Sequence, residues 1–300
     1  MVDPQQEVQA LTEVRILTSV ASLGVSFWDA VSGSVIADGL KVTAYQASNS
    51  VHRVRATINR RGVYVLQGLP GLWANEHGTG DADYWLSLPA PKRSFVIEVV
   101  DALWRFQPFL LTIELPVRDQ LTWDCELVSL MASPPAQAKT KMVPLYSAPT
   151  RKVAGGMAVI RAELWDVQEN KAAAWALLEA QVPGLPPVRS FADAAGRVAL
   201  IFPYPAPEFP FGDFDAPRVP LTKQSWSVQL QAAYTTHNPV PLIPDLCATL
   251  SQPPTHLWVD RTLTQQITEV TLKFGEELIV KSGDPSLPSV LLITPAGSPP

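Results

Sequence analysis

Charge is what this chain has least of. Only 17% of its 300 residues are Asp, Glu, Lys or Arg, against roughly a quarter in an ordinary soluble domain. A chain with so few charges is expected to hide part of its surface against partners. Glycine is also scarce, at 16 residues, which excludes a collagen-like chain with Gly at every third position. There are two cysteines, Cys125 and Cys247, too few for a disulfide framework or a zinc site. Both follow strand-like or acidic stretches and read as buried thiols. No apolar run reaches the roughly 18–20 residues of a membrane-spanning helix. The opening Met1-Val-Asp-Pro-Gln-Gln-Glu7 has neither the positive nor the apolar region of a secretory signal. The expected location is the cytoplasm, or a particle assembled there and released without that export route.

A basic footprint is missing too. The net charge is −5 and the pI is 5.4, and Lys139, Lys141, Arg151 and Lys152 are broken up by prolines, so they read as a linker. Nucleic-acid binding and membrane insertion are not expected.

Proline is abundant, at 29 residues, roughly twice its usual share. That argues against a helical bundle, whose interior proline would break. Hydrophobic residues at 47% exclude general disorder.

The chain repeats itself. Val25-Ser-Phe-Trp28-Asp29 matches Ala162-Glu-Leu-Trp165-Asp166, and Leu40 to Tyr45 matches Ala174 to Val182. Asn59-Arg-Arg-Gly62 matches Asp193-Ala-Ala-Gly196, and Ser94 to Val100 matches Ser225 to Gln231. Alternation at Phe95–Val100, Leu111–Leu115 and Ser227–Ala232 is the period of half-buried strands, and turn signals separate the runs. The fold expected is all-β: two tandem Ig-like or transthyretin-like β-sandwiches, with long proline- and aromatic-rich loops and an extended C-terminal tail. The divisions expected are an N-terminal segment (1–19), a first sandwich (20–131), a semi-rigid linker (132–142), a second sandwich (143–260), and C-terminal strands with a tail (261–300). Lys171 to Ala180 has strong helix propensity, but its repeat partner is strand, so it is expected to be strand.

Catalytic constellations do not survive inspection. Glu76, His77, Asp81 and Asp83 lack the spacing of a calcium loop and read as solvated loop charges. His52, His237 and His256 stand apart and read as surface residues. Glu208, Asp213 and Asp215 lie among prolines with nothing to raise one carboxyl. Phosphate-cradling and nucleophile-elbow glycine patterns are absent. No catalytic residue, metal site, cofactor or small-molecule substrate is therefore expected. Trp28 and Trp165, at equivalent strand ends, read as core. Two long loops, 72–93 and 203–224, carry exposed-type aromatics, and loops of this length are uncommon unless functional. Trp73, Trp85, Trp104, Phe209, Phe211 and Phe214 are the expected partner contacts.

Trp28 to Ala44 followed by Asn59-Arg-Arg-Gly-Val-Tyr-Val-Leu-Gln-Gly-Leu-Pro-Gly71 resembles the carboxypeptidase regulatory-like, or transthyretin-like, β-sandwich module. The resemblance spans about residues 25–72, with an echo at 162–206 that has lost the Leu-Pro-Gly. It implies a sandwich and an accessory or structural role rather than an activity. Val99 to Pro116, with Asp101-Ala-Leu-Trp-Arg-Phe-Gln-Pro108, is similar to a segment of accessory proteins in phage-tail-like contractile injection particles. That likeness implies a non-enzymatic structural or adaptor subunit, at a baseplate or its periphery, whose partners are other protein subunits. The alternative is a free carbohydrate- or protein-binding module that uses the aromatic loops.

Overall fold

In the computed structural model, residues 18–19, 21–78, 92–116, 125, 142–153, 155–206 and 220–295 are described. The first half comprises β1 (Thr18–Ser19), β2 (Leu23–Asp29), β3 (Leu40–Gln46), β4 (Asn49–Arg55), β5 (Thr57–Ile58) and β6 (Tyr64–Leu66). These are followed by α1 (Trp73–Glu76), β7 (His77–Gly78), β8 (Arg93–Asp101), β9 (Phe109–Leu115) and β10 (Met142–Leu145). One sheet has the order β10-β2-β6-β5 and the other β4-β3-β8-β9. Alternation decides what each strand buries: Leu23, Val25 and Phe27 on β2, and Phe95, Ile97 and Val99 on β8, turn into one core.

The second half repeats the plan with β11 (Met157–Asp166), β12 (Lys171–Ala172), β13 (Leu177–Gln181), β14 (Val188–Phe191), β15 (Arg197–Pro203) and β16 (Ser225–Ala233). Then come α2 (Leu246–Leu250), β17 (Pro254–Thr255), β18 (Leu257–Trp258), β19 (Glu269–Lys273), β20 (Leu278–Val280) and β21 (Leu291–Ile293). The central ladders correspond. β2 pairs antiparallel with β6 as β11 does with β15, and β3 lies between β4 and β8 as β13 lies between β14 and β16. In each half a late strand returns parallel to the first, β10 beside β2 and then β20 and β21 beside β11. The chain is thus two tandem β-sandwiches, as the repeat predicts.

The hairpins share their hydrogen bonds as well as their order. Asn59 Oδ1 accepts from the N–H groups of Arg61 and Val63 (2.9 and 3.0 Å). Asp193 Oδ1 accepts from Ala195 and Arg197 (2.9 and 3.0 Å). Such side-chain acceptors close the turn, and Gly62 and Gly196 supply its left-handed position, at φ +77° and +79°.

Some expectations change on contact with the fold. Lys171 to Ala180 is two strands, with Trp175 in the left-handed region (φ 63°) between them. The break lets the chain leave β11's sheet and join β16's, so sheet-switching overrides helix propensity. Trp28 and Trp165 lie outside the two sandwich cores, although Trp165 packs on the small apolar cluster of Trp258, Val290 and Leu292. At both strand ends the inward position belongs to the next residue, Asp29 or Asp166, so strand parity turns the indoles to the opposite, half-buried face. Leu291–Ile293, which carries no alternation, is a fully buried strand. The linker stretch 132–141 and the final residues 296–300 lie outside the described residues.

Candidate functional site

The segment 101–107, which contains Trp104, lies where the two halves meet. At the end of β8 the Asp101 carboxylate is buried and gathers the turn that follows it. It accepts from the backbone N–H of Leu103 (3.2 Å) and Arg105 (2.7 Å), and from Arg105 Nε (3.1 Å). The Arg105 guanidinium continues to the Asp38 carbonyl (2.8 Å) and carboxylate (3.2 Å). Its bonds to Asp101 raise its pKa. Wrapping the backbone around one carboxylate places Trp104 at φ 57°, a conformation that costs a bulky residue roughly 1–2 kcal/mol. The same wrapping leaves Leu103 and Trp104 outside, 55% and 77% exposed.

Phe106 and Gln107 point the other way. Phe106 is buried, with the guanidinium carbons of Arg105 and Arg151 5.2 and 5.0 Å from its ring centre. Arg151 is not a linker charge. It clamps the buried Asp29 with two bonds (2.9 and 2.6 Å) and reaches Ser147 Oγ (3.0 Å). Burial alone would raise the Asp29 carboxyl, but its bonds from Arg151, the Val31 N–H and Ser32 hold it below the ordinary value. Gln107 is buried and donates from Nε2 to the carbonyl of Phe191 on β14 (3.1 Å), while its own N–H bonds the Tyr146 carbonyl (2.9 Å).

The face of β13 and β14 that receives this segment is not a solvent face. Leu177, Phe191 and Ala233 belong to the same apolar cluster as Phe27, Phe95 and Phe109 of the first half. Tyr146 meets Phe191 edge-on, with 5.6 Å between ring centres, and burial raises its phenol. Glu179 and Arg189 pair directly across β13 and β14 within this zone. Burial raises the Glu179 carboxyl against the pull of Arg189. From the second half, residues 244–250 reach back onto β9: the Leu110 N–H bonds the Pro244 carbonyl (2.8 Å), and Leu246 and Leu250 of α2 enter the first core.

A covalent bond completes the junction. Cys125 and Cys247 form a disulfide across 122 residues of sequence. This corrects the expectation of two buried thiols. The signal missing from the sequence was proximity, which only the docking of α2 on β9 creates.

The other predicted site residues distribute as follows. Trp73 is exposed at the start of α1. Gly71, two residues earlier, lies against Arg93 at the beginning of β8, whereas Trp104 follows its far end. Nine strand residues span about 27 Å, so Trp73 and Trp104 do not form one platform. Trp104 belongs to the β8–β9 turn rather than to the long loop. Trp85, Phe209, Phe211 and Phe214 lie outside the described residues, as do Asp81, Asp83, Glu208, Asp213 and Asp215. Glu76 is not a solvated loop charge. It is buried and accepts from Ser22 Oγ and from the N–H of Gly68 (2.8 Å), holding the turn after β6. His237 is half-buried rather than surface, and burial lowers its pKa, helped by Lys171.

No family model and no curated protein matches this chain. Among solved structures, a streptococcal ancillary pilin aligns at 10% identity and TM-score 0.20, over 86% of this chain and 61% of the pilin. The shaft pilin SpaA of Lactobacillus rhamnosus GG aligns at 8% identity and TM-score 0.20, over 95% and 100% of the two chains. A C-terminal fragment of the pilus adhesin SpaC of the same organism aligns at 10% identity and TM-score 0.20, over 93% and 100%. Superpositions this loose carry no argument about what the chain does.

Proposed function

We propose that this chain is a non-enzymatic structural or adaptor subunit of a large protein assembly, at the baseplate or periphery of a phage-tail-like contractile injection particle. The observation that carries the structural role is the junction. Two sandwiches share one apolar cluster and a disulfide, which makes a stiff two-module strut. The buried acids at this junction are committed to architecture: Asp29 holds Arg151, Asp101 holds a turn, and Glu179 pairs with Arg189. The segment resembling injection-particle accessory proteins, 99–116, is the one that presents Leu103 and Trp104 outward while Phe106 and Gln107 lock the halves together. The disulfide fits a subunit whose final setting lies outside a reducing compartment. Partners, on this reading, are neighbouring protein subunits.

A tagged chain recovered from native lysate by size-exclusion chromatography and mass spectrometry tests the proposal. Co-elution in the megadalton range with sheath- and tube-like proteins is expected, and Trp104→Ala together with Leu103→Ser should release the subunit while its melting curve stays unchanged. A stable monomer without partners would overturn it and leave the free binding module, to be pursued on glycan arrays from Trp73.

A further inference from the structure

The first sandwich carries an open sheet edge with a charge pattern of its own. Among the described residues, β4 pairs only with β3. Thr43 stands opposite Arg55 and Ala44 opposite Val54, and the Ala56 N–H donates to the Val42 carbonyl (2.9 Å). In an antiparallel ladder the hydrogen-bonded pairs alternate. Val54 and Ala56 therefore turn their main-chain groups to β3, while Arg53 and Arg55 turn theirs to the side that no described strand occupies. At the corresponding place in the second half, the edge strand β14 is covered: Gln107 Nε2 bonds the Phe191 carbonyl and Ser190 Oγ the Ser147 carbonyl.

Charge tells what would cover β4. From Gly39 to Asn75 the chain contains Lys41, His52, Arg53, Arg55, Arg60 and Arg61 and no acidic residue. Its other 18 Lys and Arg (23 less these five) stand against all 28 acids. Arg53 is engaged, bonded to Glu98 (2.7 Å) and lying over Tyr45. Arg55, Arg60 and Arg61 are exposed and make no ion pair among the described residues. Beside the edge a groove of about 480 Å³ is lined by Val51, His52, Arg53, Val54, Gly68 and Pro70, and Val51 is 82% exposed within it.

We propose that β4 receives an extended segment of a partner protein as an added antiparallel or parallel strand, one that places acidic side chains at alternate positions beside Arg53 and Arg55. Those two arginines share one face of the sheet, so their neighbours on an incoming strand are two residues apart, and opposite charges there are favourable. Outward main-chain groups supply the ladder, and the groove at Val51 and Pro70 takes an apolar side chain of the incoming segment. The surface does not depend on membership in a particle.

The test is fluorescence anisotropy of the full chain with a labelled peptide of alternating valine and glutamate, against its valine–lysine counterpart. Saturable binding of the glutamate peptide alone is expected, weakening as salt rises. Arg55→Ala should weaken it about threefold, the worth of an exposed charge pair. Arg55→Pro, which also removes an outward N–H, should weaken it by about tenfold more. Thermal melts check that both variants stay folded. Equal losses for alanine and proline, or equal binding of the lysine peptide or of single-stranded oligothymidine, would overturn strand addition. Absence of saturable binding would also overturn it, leaving the arginines and the bulge at Tyr45–Gln46 as guards against edge aggregation.

Discussion

Asp29 shows how a single side chain serves this fold. It ends β2, points into the sandwich, and is reached by Arg151 from 122 residues away. Because its bonds hold the carboxyl below the ordinary value, it contributes stability above the unfolded pKa that is lost as pH falls through the folded one. Arg151→Gln is expected to cost about 2–3 kcal/mol near pH 7, since it strands a buried carboxylate. The gap between variant and parent should then narrow as pH falls below the ordinary carboxylate range, where the lowered Asp29 carboxyl takes up its proton. Urea unfolding at about pH 7 and about pH 3 reads this directly. Glu179 works in the opposite sense, because burial raises its carboxyl and its contribution falls as pH rises through that value. Comparing parent and variant at each pH cancels Glu179 and isolates Asp29. A gap that ignores pH would mean that Arg151 acts through its contact with the Phe106 ring.

At the scale of elements, the paired Asx–Gly hairpins give a matched experiment. Gly62 and Gly196 share a left-handed conformation, but a Cβ on Gly62 would meet the Cβ of Ala37 at 3.0 Å, whereas one on Gly196 would strike the Leu164 carbonyl at 2.4 Å. The exposed loop that carries Ala37 can give by a few tenths of an ångström where strand backbone cannot. Gly62→Ala is expected to cost about 1–2 kcal/mol, the strain of the conformation alone, and Gly196→Ala about 3 kcal/mol or more, as read by chemical denaturation. Equal losses would show that β11 moves freely at Leu164. These hairpins were legible in sequence because everything that makes them is local: an acceptor side chain, a glycine and an alternating flank. The same holds for β2, β8 and their repeats. Met142–Leu145 and Leu291–Ile293 were not legible as strands. Both are short, buried without alternation, and paired in parallel with a strand more than a hundred residues earlier, so neither period nor turn chemistry marks them. Trp28 and Trp165 were misplaced for a related reason. Repetition located the strand ends, but parity depends on which neighbour is inward, and a buried aspartate is the less expected choice.

For the whole molecule, the question is whether the halves are beads on a string or one body. The low charge, the repeat and the outward turn at Trp104 could be read or guessed from sequence. The junction could not, because Gln107, Tyr146, Phe191 and the two cysteines come together only once both sandwiches exist. Its energetics predict a single unfolding event. Phe191 is fully buried in the cluster shared by both halves, and Phe191→Ala is expected to cost about 3–4 kcal/mol. The Cys125–Cys247 bond closes a loop of over a hundred residues, worth about 4–5 kcal/mol by chain entropy. Calorimetry of the oxidised parent should therefore give one transition whose van't Hoff and calorimetric enthalpies agree. Cys247→Ser should lower its midpoint and keep it single, since the apolar cluster still couples the halves. Combining Cys247→Ser with Phe191→Ala removes both the covalent and the best-packed link, and two separated transitions are expected. If the parent already shows two, the shared cluster does not transmit stability, and the stiffness that a structural subunit needs would have to come from its neighbours in the assembly.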